Sequence, residues 1–463
     1  MLTAKPTIHD ARTLYFLDKA VHGIAPPLFL DLAVRGQART GNLREGLSLL
    51  RSRSAAGEGP AASLALGMTG RMPDREPMLL QPRLRPDAAA RPATRSLVLL
   101  GRPPEPGVRT QIAQGLAPRL EHLDLADALG APVMSAGDAL ARLGPLAGRL
   151  AGRDRLLAAT LAAAADRRDF DAVYATGEDL GLRLAALMRL TGWKGRLVTV
   201  VHSCISSVRK ACFRALGPSS FHALICLCEA QRRVLVEELG FPREKVRLCV
   251  NWVDADFYAP DGRPAAAGDY VFSCGRENRD YGALFAAAAR LPFPLKVAAS
   301  GFRADADSLR ASPGPGATLY RQRLSFPELK QAYAGSRFVV APLRPVDYAA
   351  GVTGVLEAMA MGKAVITTAS PGILDYVRDG VTGRVVPPGD PQALASAMAE
   401  LWAAPDWCDE AGRRNRAWVR ANASIDGYVR TVAELMSPGS AAAARSRLRG
   451  AAVGREDLGL TRA

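Results

Sequence analysis

From Arg95 onwards the chain alternates short apolar runs with helical patterns, and after a break rich in small residues the alternation begins again. Ser96-Leu97-Val98-Leu99-Leu100 ends in Gly101 and a proline-rich turn, as a strand buried on both faces does. Helical patterns follow over 108–120 and 143–165, then a strand at 170–175, a helix at 179–190 and a strand at 196–201. An apolar run at 222–227, a helix over 229–239 and a run at 246–250 continue the series. Consecutive parallel strands need crossover connections, and helices in those crossovers cover both faces of the sheet. The pattern predicts a doubly wound parallel sheet over residues 95–258.

Residues 259–268 read as a linker, after which strands are expected at 270–274, 295–299, 338–342, 364–368 and 384–386. Helices are expected over 281–291, 325–335, 353–361 and 373–377, and Asp390-Pro391 opens another, with the aspartate as N-cap and proline at the first helical position. Residues 269–410 thus form a second Rossmann-like domain, and the fold class is α/β. Open parallel sheets bind ligands beyond the carboxyl ends of their strands, so two such domains face a central cleft. The helical stretch 411–436 is expected to cross back to the first domain, and 437–463 reads as a loose tail. Residues 1–94 form an N-terminal extension whose second half, rich in Ser, Gly, Pro and Arg, reads as partly disordered linker.

A length of 463 residues exceeds one ordinary core, and 48% hydrophobic with 23% charged residues is the composition of a folded globular chain. Lys and Arg number 60 against 45 acidic residues, and this balance favours anionic partners. No run approaches the ~20 apolar residues that span a bilayer, and Met1 to Pro6 lacks the basic-then-apolar pattern of a signal peptide. The expectation is a cytoplasmic protein, soluble or peripheral at the inner face of the membrane. Seven cysteines, with one close C-x-C pair and no histidine at zinc spacing, read as buried reduced thiols, and no metal site is expected.

The chemistry concentrates where the loop 344–351 leaves a strand and feeds a helix. The amides of Val352, Thr353 and Gly354 lie at that helix N-terminus, where unpaired donors and the helix dipole suit a phosphate. Gly351 and Gly354 let backbone and ligand approach closely. Glu357 falls one turn later. Its carboxylate either accepts from the paired hydroxyls of a ribose or simply complements the dipole of the first turn, and spacing alone leaves both readings open.

Val340-Ala341-Pro342, the run Gly354-Val355-Leu356-Glu357-Ala358-Met359-Ala360-Met361-Gly362-Lys363, Asp379-Gly380-Val381-Thr382-Gly383 and Pro387-Pro388-Gly389-Asp390 closely resemble the donor domain of group 1, or family 4, GT-B glycosyltransferases. Asn251-Trp252-Val253-Asp254 to Tyr258 resembles that family's interdomain motif, with Trp252 where glycine is usual. The resemblance covers about residues 95–435. It implies the GT-B fold, a nucleotide-sugar donor and retention of anomeric configuration. It assigns Glu357 to the ribose and the amides of Gly351, Val352 and Thr353 to the diphosphate, with Gly275 beside them. In Gly275-Arg276-Glu277-Asn278-Arg279-Asp280-Tyr281-Gly282, Arg276 matches a family arginine, and Tyr281 stands where the family has lysine. A diphosphate leaving group gathers charge as the sugar bond breaks, so fixed cations should face it, and Arg279 is the natural substitute. The family's sugar-holding glutamate is Ala349 here, and Asp347 is the carboxylate closest in sequence to replace it. His202, at a strand end of the first domain, resembles the family histidine beside the reacting sugar carbon.

The run Val208-Arg209-Lys210-Ala211-Cys212-Phe213-Arg214 pairs basic and aromatic residues; acceptor or anionic-membrane contact is the secondary reading beside a solvated helix face. Gly101 to Gly107 is not G-x-G-x-x-G, so dinucleotide binding is unsupported, and the D-x-D matches Asp254/Asp256 and Asp305/Asp307 are read as chance. The expectation is a metal-independent glycosyltransferase with no cofactor beyond the nucleotide-sugar as co-substrate, a sugar or lipid-linked acceptor, and no nucleic-acid partner. The alternative is a nucleotide-sugar-binding GT-B protein with weak or lost turnover, which Ala349 and Tyr281 favour.

Overall fold

Twelve parallel strands in two six-stranded sheets carry the described part of the chain, a computed structural model covering residues 94–144, 154–204, 206–260, 262, 267–275, 277–299, 316–320 and 322–437. All of these lie in the compact unit Ala93–Ala463. The first sheet has β1 (Ser96–Leu99), β2 (Val133–Met134), β3 (Ala172–Ala175), β4 (Arg196–Val201), β5 (Ala223–Cys226) and β6 (Val246–Leu248), in the order β2-β1-β3-β4-β5-β6. Between them run the helices α1 (Val108–Ala113), α2 (Glu121–Leu129), α3 (Ala136–Leu143), α4 (Arg155–Ala165), α5 (Glu178–Thr191), α6 (Ser207–Leu216) and α7 (Glu229–Arg233). The chain order reverses between β1 and β3, so this sheet opens a crevice beyond those two strands.

The second sheet has β7 (Tyr270–Cys274), β8 (Leu295–Ala298), β9 (Ala317–Tyr320), β10 (Ser336–Ala341), β11 (Val365–Thr368) and β12 (Gly383–Val386), in the order β12-β11-β10-β7-β8-β9. Its helices are α8 (Tyr281–Ala288), α9 (Phe326–Ala334), α10 (Val352–Ala360) and α11 (Pro391–Ala403), followed by α12 (Pro405–Asn422) and α13 (Ile425–Met436). The reversal here falls between β7 and β10. Strands such as β1, β3, β5, β7 and β11 are buried along their whole length, as parallel strands covered on both faces must be.

Several expected elements differ. The helix expected over 108–120 stops at Ala113, because Gly115 adopts φ 69° and Pro118 follows. Of the helix expected over 143–165, the part from Arg155 is present as α4, capped by Asp154, whose side chain accepts from Leu156 and Leu157 N–H. Residues 371–376 form turns in place of the helix expected over 373–377, and the backbone of Gly372 packs on the Tyr348 carbonyl so closely that no Cβ would fit. The helix over 229–239 widens into a π-helical turn at Val234–Glu238. The short strands β2 and β9 carry no alternation and were not anticipated.

The stretch 411–436 is two helices, broken where Ser424 caps α13 by accepting from Gly427 N–H at 3.2 Å. Only α13 crosses to the first sheet, burying Ile425, Tyr428, Val432 and Met436 against β3, β4 and β5. Trp252, at the motif position where glycine is usual, stacks on Tyr428 with ring centroids 3.8 Å apart, and Tyr428 shares a 2.8 Å hydrogen bond with the Tyr174 hydroxyl of β3. All seven cysteines are unpaired, and six of them are buried. No helix among the described residues is long and apolar enough to cross a membrane.

The indole of Trp252 thus forms the outer wall of the α13 docking site. Trp252→Gly is expected to destabilise the chain by about 2 kcal/mol, through lost aromatic contact and a cavity over Tyr428. Urea denaturation measures this, and an unchanged midpoint would show that α13 docks without the indole.

Candidate active site

The two loops at the reversal of the second sheet are knitted together by main-chain bonds. Asp280 N–H donates to the Pro342 carbonyl at 2.8 Å, Arg344 N–H to the Asn278 carbonyl at 3.1 Å, and the Asn278 side chain returns a bond to the Arg344 carbonyl. Asn278 takes φ 55°, a left-handed conformation that asparagine tolerates. The loop after β10 is also pinned to β11, where Thr368 Oγ1 accepts from Leu343 N–H at 2.9 Å and Ser370 Oγ from Val346 N–H at 3.1 Å.

Between these loops lies Arg279, 4% exposed. Its guanidinium donates to the carbonyls of Cys274 at 3.1 Å, Glu277 at 3.0 Å and Gly351 at 3.4 Å. Gly275 and Gly351, at φ 113° and 74°, flank it, and a Cβ on either would run into the guanidinium. The glycines therefore serve two ends at once: a left-handed turn and room for the cation.

A cavity of about 370 Å³ opens here, lined by Gly275, Arg279, Gly351, Thr353, Gly354 and Glu357 on one side. Arg323, Leu324, Phe326 and Leu329, from the segment joining β9 to α9, line the other. Gly351 is the N-cap of α10, and Thr353 and Gly354 of its first turn, where amides lack helical partners, line this space. Val352 turns its side chain into the core, whereas Thr353 is exposed and its hydroxyl accepts a 3.4 Å bond from Asn251 of the interdomain segment.

The Glu357 carboxylate accepts from the hydroxyls of Tyr258 at 3.0 Å and Tyr333 at 2.8 Å. Burial pushes its pKa up to about 7, against the pull of those two hydrogen bonds and of the Arg279 charge. Tyr333 in turn contacts the Cys274 sulfur at 2.8 Å, and burial pushes that thiol up to about 12, so it stays protonated.

The structure thus brings together Gly275, Arg279, Gly351, Thr353, Gly354 and Glu357, whereas the buried Val352 is not among the cavity-lining residues. Arg276 lies outside the described residues. Asp347 is exposed on the loop after β10 and is not among the cavity-lining residues. Tyr281, at the family's lysine position, is buried, and its hydroxyl donates to the Gly275 carbonyl at 2.6 Å. It braces the glycine turn and supplies no charge.

His202 stands on the first domain at the end of β4, exposed, with Nε2 3.1 Å from the Thr176 carbonyl. It does not line this cavity. Beneath it lies a residue the sequence reading missed, Glu178, 4% exposed at the start of α5. Its two oxygens accept from the N–H groups of His202 at 2.9 Å and Ser203 at 3.2 Å. Burial pushes this carboxyl up while His202 and Arg209 pull it down. Gln231 holds the same loop from the other side through the Val201 and His202 carbonyls. Glu178 follows the strand next to β1 at the first sheet's reversal, and position after a switch-point strand was the signal that could have found it. For Arg323 and Phe326 the signal was the capping box Ser325 to Glu328, in which Glu328 accepts from Ser325 N–H at 2.7 Å.

On α6 the basic run is partly paired: Arg209 meets Asp179 at 3.1 Å and Lys210 meets Glu238 at 2.5 Å, Phe213 is buried, and Arg214 is exposed. Asp254 is likewise structural, accepting from the N–H groups of Arg119, Asp256 and Phe257, and Asp256 pairs with Arg420. Asp305 and Asp307 lie outside the described residues.

Family models match both halves of the chain: Glycosyltransferase Family 4 over residues 110–257 and Glycosyl transferases group 1 over residues 284–404. No curated protein matches the chain at a significant level. Among solved structures, HepE from Anabaena in complex with UDP and glucose superposes with a TM-score of 0.56 at 16% identity, covering 73% of this chain and 98% of that one. Sucrose-phosphate synthase from Thermosynechococcus elongatus gives 0.56 at 18% identity over 74% and 98% of the two chains. A UDP-forming trehalose-phosphate synthase from Burkholderia xenovorans gives 0.55 at 13% identity over 74% and 98%. With two parallel sheets reversing beside a shared cleft and both halves matched by these models, the chain belongs to the group 1, family 4 glycosyltransferases of GT-B fold.

Proposed function

We propose that the cavity beside α10 holds the nucleoside diphosphate of a nucleotide-sugar donor, and that the sugar passes with retention to an acceptor hydroxyl on the first domain. One observation carries this reading: a helix N-terminus, the Arg279 guanidinium and the Glu357 carboxylate converge on a single cavity. Each matches one part of a nucleoside diphosphate. The α10 amides suit the phosphates, Glu357 suits the vicinal hydroxyls of the ribose, and the apolar wall of Leu324, Phe326 and Leu329 suits the flat base. HepE, of the same fold, binds UDP.

The chemistry asks for charge stabilisation at the departing diphosphate. Arg279 and the α10 amides supply it from fixed positions, and Arg323 brings a second cation to the cavity wall. The acceptor hydroxyl approaches the face from which the diphosphate leaves, and its proton passes to the departing phosphate oxygen. No side-chain nucleophile is needed, in keeping with a Cys274 thiol that stays protonated. His202, held by Glu178, orients the sugar or the acceptor from the opposite side of the cleft. The reaction is proposed to be metal-independent and to need no cofactor besides the donor. Among the described residues no three His, Cys, Asp or Glu cluster to hold a metal ion. The acceptor is proposed to be a sugar or a lipid-linked sugar met in the cytoplasm at the inner face of the membrane, where the exposed Arg214 of α6 is the basic residue of that run left for anionic contact.

A second reading keeps the donor site and drops turnover. Tyr281 favours it, because a brace stands where a cation would help the leaving group. Release of nucleoside diphosphate from a nucleotide-sugar decides between them.

In thermal-shift assays, UDP, GDP or ADP is expected to raise the melting temperature, and Glu357→Ala to remove most of that rise; an undiminished rise in the variant would displace the donor site from α10. From an α-linked nucleotide-sugar the product is expected as the α anomer by NMR, at a rate that EDTA leaves unchanged. A β product would rule out retention, and loss of rate in EDTA would rule out metal independence.

A further inference from the structure

We propose that Tyr258, carried by the segment that leaves the first domain, is a positioning residue for Glu357, so that donor binding depends on how that segment is held. The proposal rests on the donor reading of Glu357 given above.

The hydroxyls of Tyr258 and Tyr333 take one carboxylate oxygen each. A carboxylate oxygen has two in-plane lone pairs, so one on each oxygen remains for the cavity, the arrangement that two neighbouring ribose hydroxyls require. Both tyrosine rings are buried and meet edge to face at 6.2 Å, which fixes the direction from which the hydroxyls come. Without them, a glutamate one turn inside a helix would be free to change rotamer.

Tyr258 ends the interdomain stretch that begins at Asn251. Arg416 of α12 grips its main chain, with one guanidinium nitrogen donating to the carbonyls of Ala255, Tyr258 and Ala360. Ala360 is the last residue of α10, the helix that carries Glu357. The segment is therefore tied to one helix twice, at its C-terminal end through Arg416 and at the carboxylate through the Tyr258 hydroxyl. Phe257, next in line, meets the Phe326 ring of the cavity wall edge to face at 6.3 Å.

The charged and titratable groups facing Glu357 are Tyr258, Tyr333 and Arg279, with Cys274 behind Tyr333. Burial raises the carboxyl and the three facing groups lower it, to about 7. The ionised form is the one that accepts from ribose hydroxyls. Donor affinity should accordingly be full above pH 7 and fall as the pH drops through 7. Removing the Tyr258 hydroxyl takes away one lowering group and moves that fall to higher pH.

The test is calorimetric titration of the full chain with UDP, GDP and ADP between pH 6 and 9, taking the tightest-bound nucleotide forward to Tyr258→Phe, Tyr333→Phe and Glu357→Gln. Tyr258→Phe keeps the ring and is expected to weaken binding roughly tenfold at neutral pH, with the midpoint of the pH dependence moved upward. Tyr333→Phe is expected to act in the same direction, which keeps the idea testable if one variant folds poorly. Wild-type affinity and midpoint in both variants, with binding weakened in Glu357→Gln, would overturn this proposal and leave the donor site standing. An equal loss at every pH would also overturn it, since packing alone does that. Unchanged binding in Glu357→Gln, or no binding of any of the three nucleotides to the wild type, would overturn the donor reading itself.

Discussion

Arg279 donates to three backbone carbonyls from two different loops, and the geometry of the donor side depends on it. Taking a guanidinium out of water costs several kcal/mol unless each N–H finds an acceptor. The planar fork matches several carbonyls in one geometry, which an ammonium on a flexible stem does not. Gly275 and Gly351 follow from the same requirement, because any Cβ at either place would meet the guanidinium. The cation, the two turns and the start of α10 are one arrangement. The charge that suits a diphosphate is built into the scaffold that orients the amides.

The first domain solves the same problem with the opposite charge. Its switch-point loops are held by the buried Glu178 carboxylate, which accepts main-chain N–H groups from the loop after β4, where Arg279 donates to main-chain carbonyls. The two halves of the cleft consequently differ in polarity. The second presents a guanidinium and the first turn of α10 to its cavity. The first offers a carboxylate-braced histidine, a group suited to hydroxyls. On the proposed function, this difference would sort a donor phosphate and an acceptor hydroxyl to opposite walls.

The sheets were legible because fully buried parallel strands announce themselves as apolar runs between turn residues, and α10 because Gly351 and Gly354 bracket its first turn. Elements without that signature were not. β2 and β9 are too short to show a pattern, and the helices over 108–120 and 411–436 were cut by a left-handed glycine and a serine cap that periodicity does not register. Among candidate site residues, Glu357 and Arg279 were singled out through the family resemblance, since spacing alone left Glu357 open. The depth of Arg279 was not legible, since one of the carbonyls that satisfy it lies 72 positions away. Tyr258, Tyr333 and Glu178 reach the site only through tertiary contact. Tyr281 was read as a missing cation, and its use as a brace for Gly275 appears only when the turn is seen. His202 and Asp347 were placed by analogy, and only Arg279 of the anticipated cations is among the described residues.

The connections between the sheets are unequal in strength. At the back of the cleft, Tyr376 links the Leu227 carbonyl to Asn251 N–H, Asp375 accepts from Glu229 N–H, and α13 buries an apolar face on the first sheet. Opposite them, across the mouth, Glu105 and Arg323 meet at 3.9 Å, both well exposed. An exposed ion pair contributes about 0–1 kcal/mol, so the mouth resists opening far less than the back does. Any change in cleft width is therefore expected to pivot about Asn251, Tyr376 and α13, the same segment that ends in Tyr258. On the proposed donor reading, a nucleotide held by Glu357 is linked to that pivot through the Tyr258 hydroxyl and the segment 251–258.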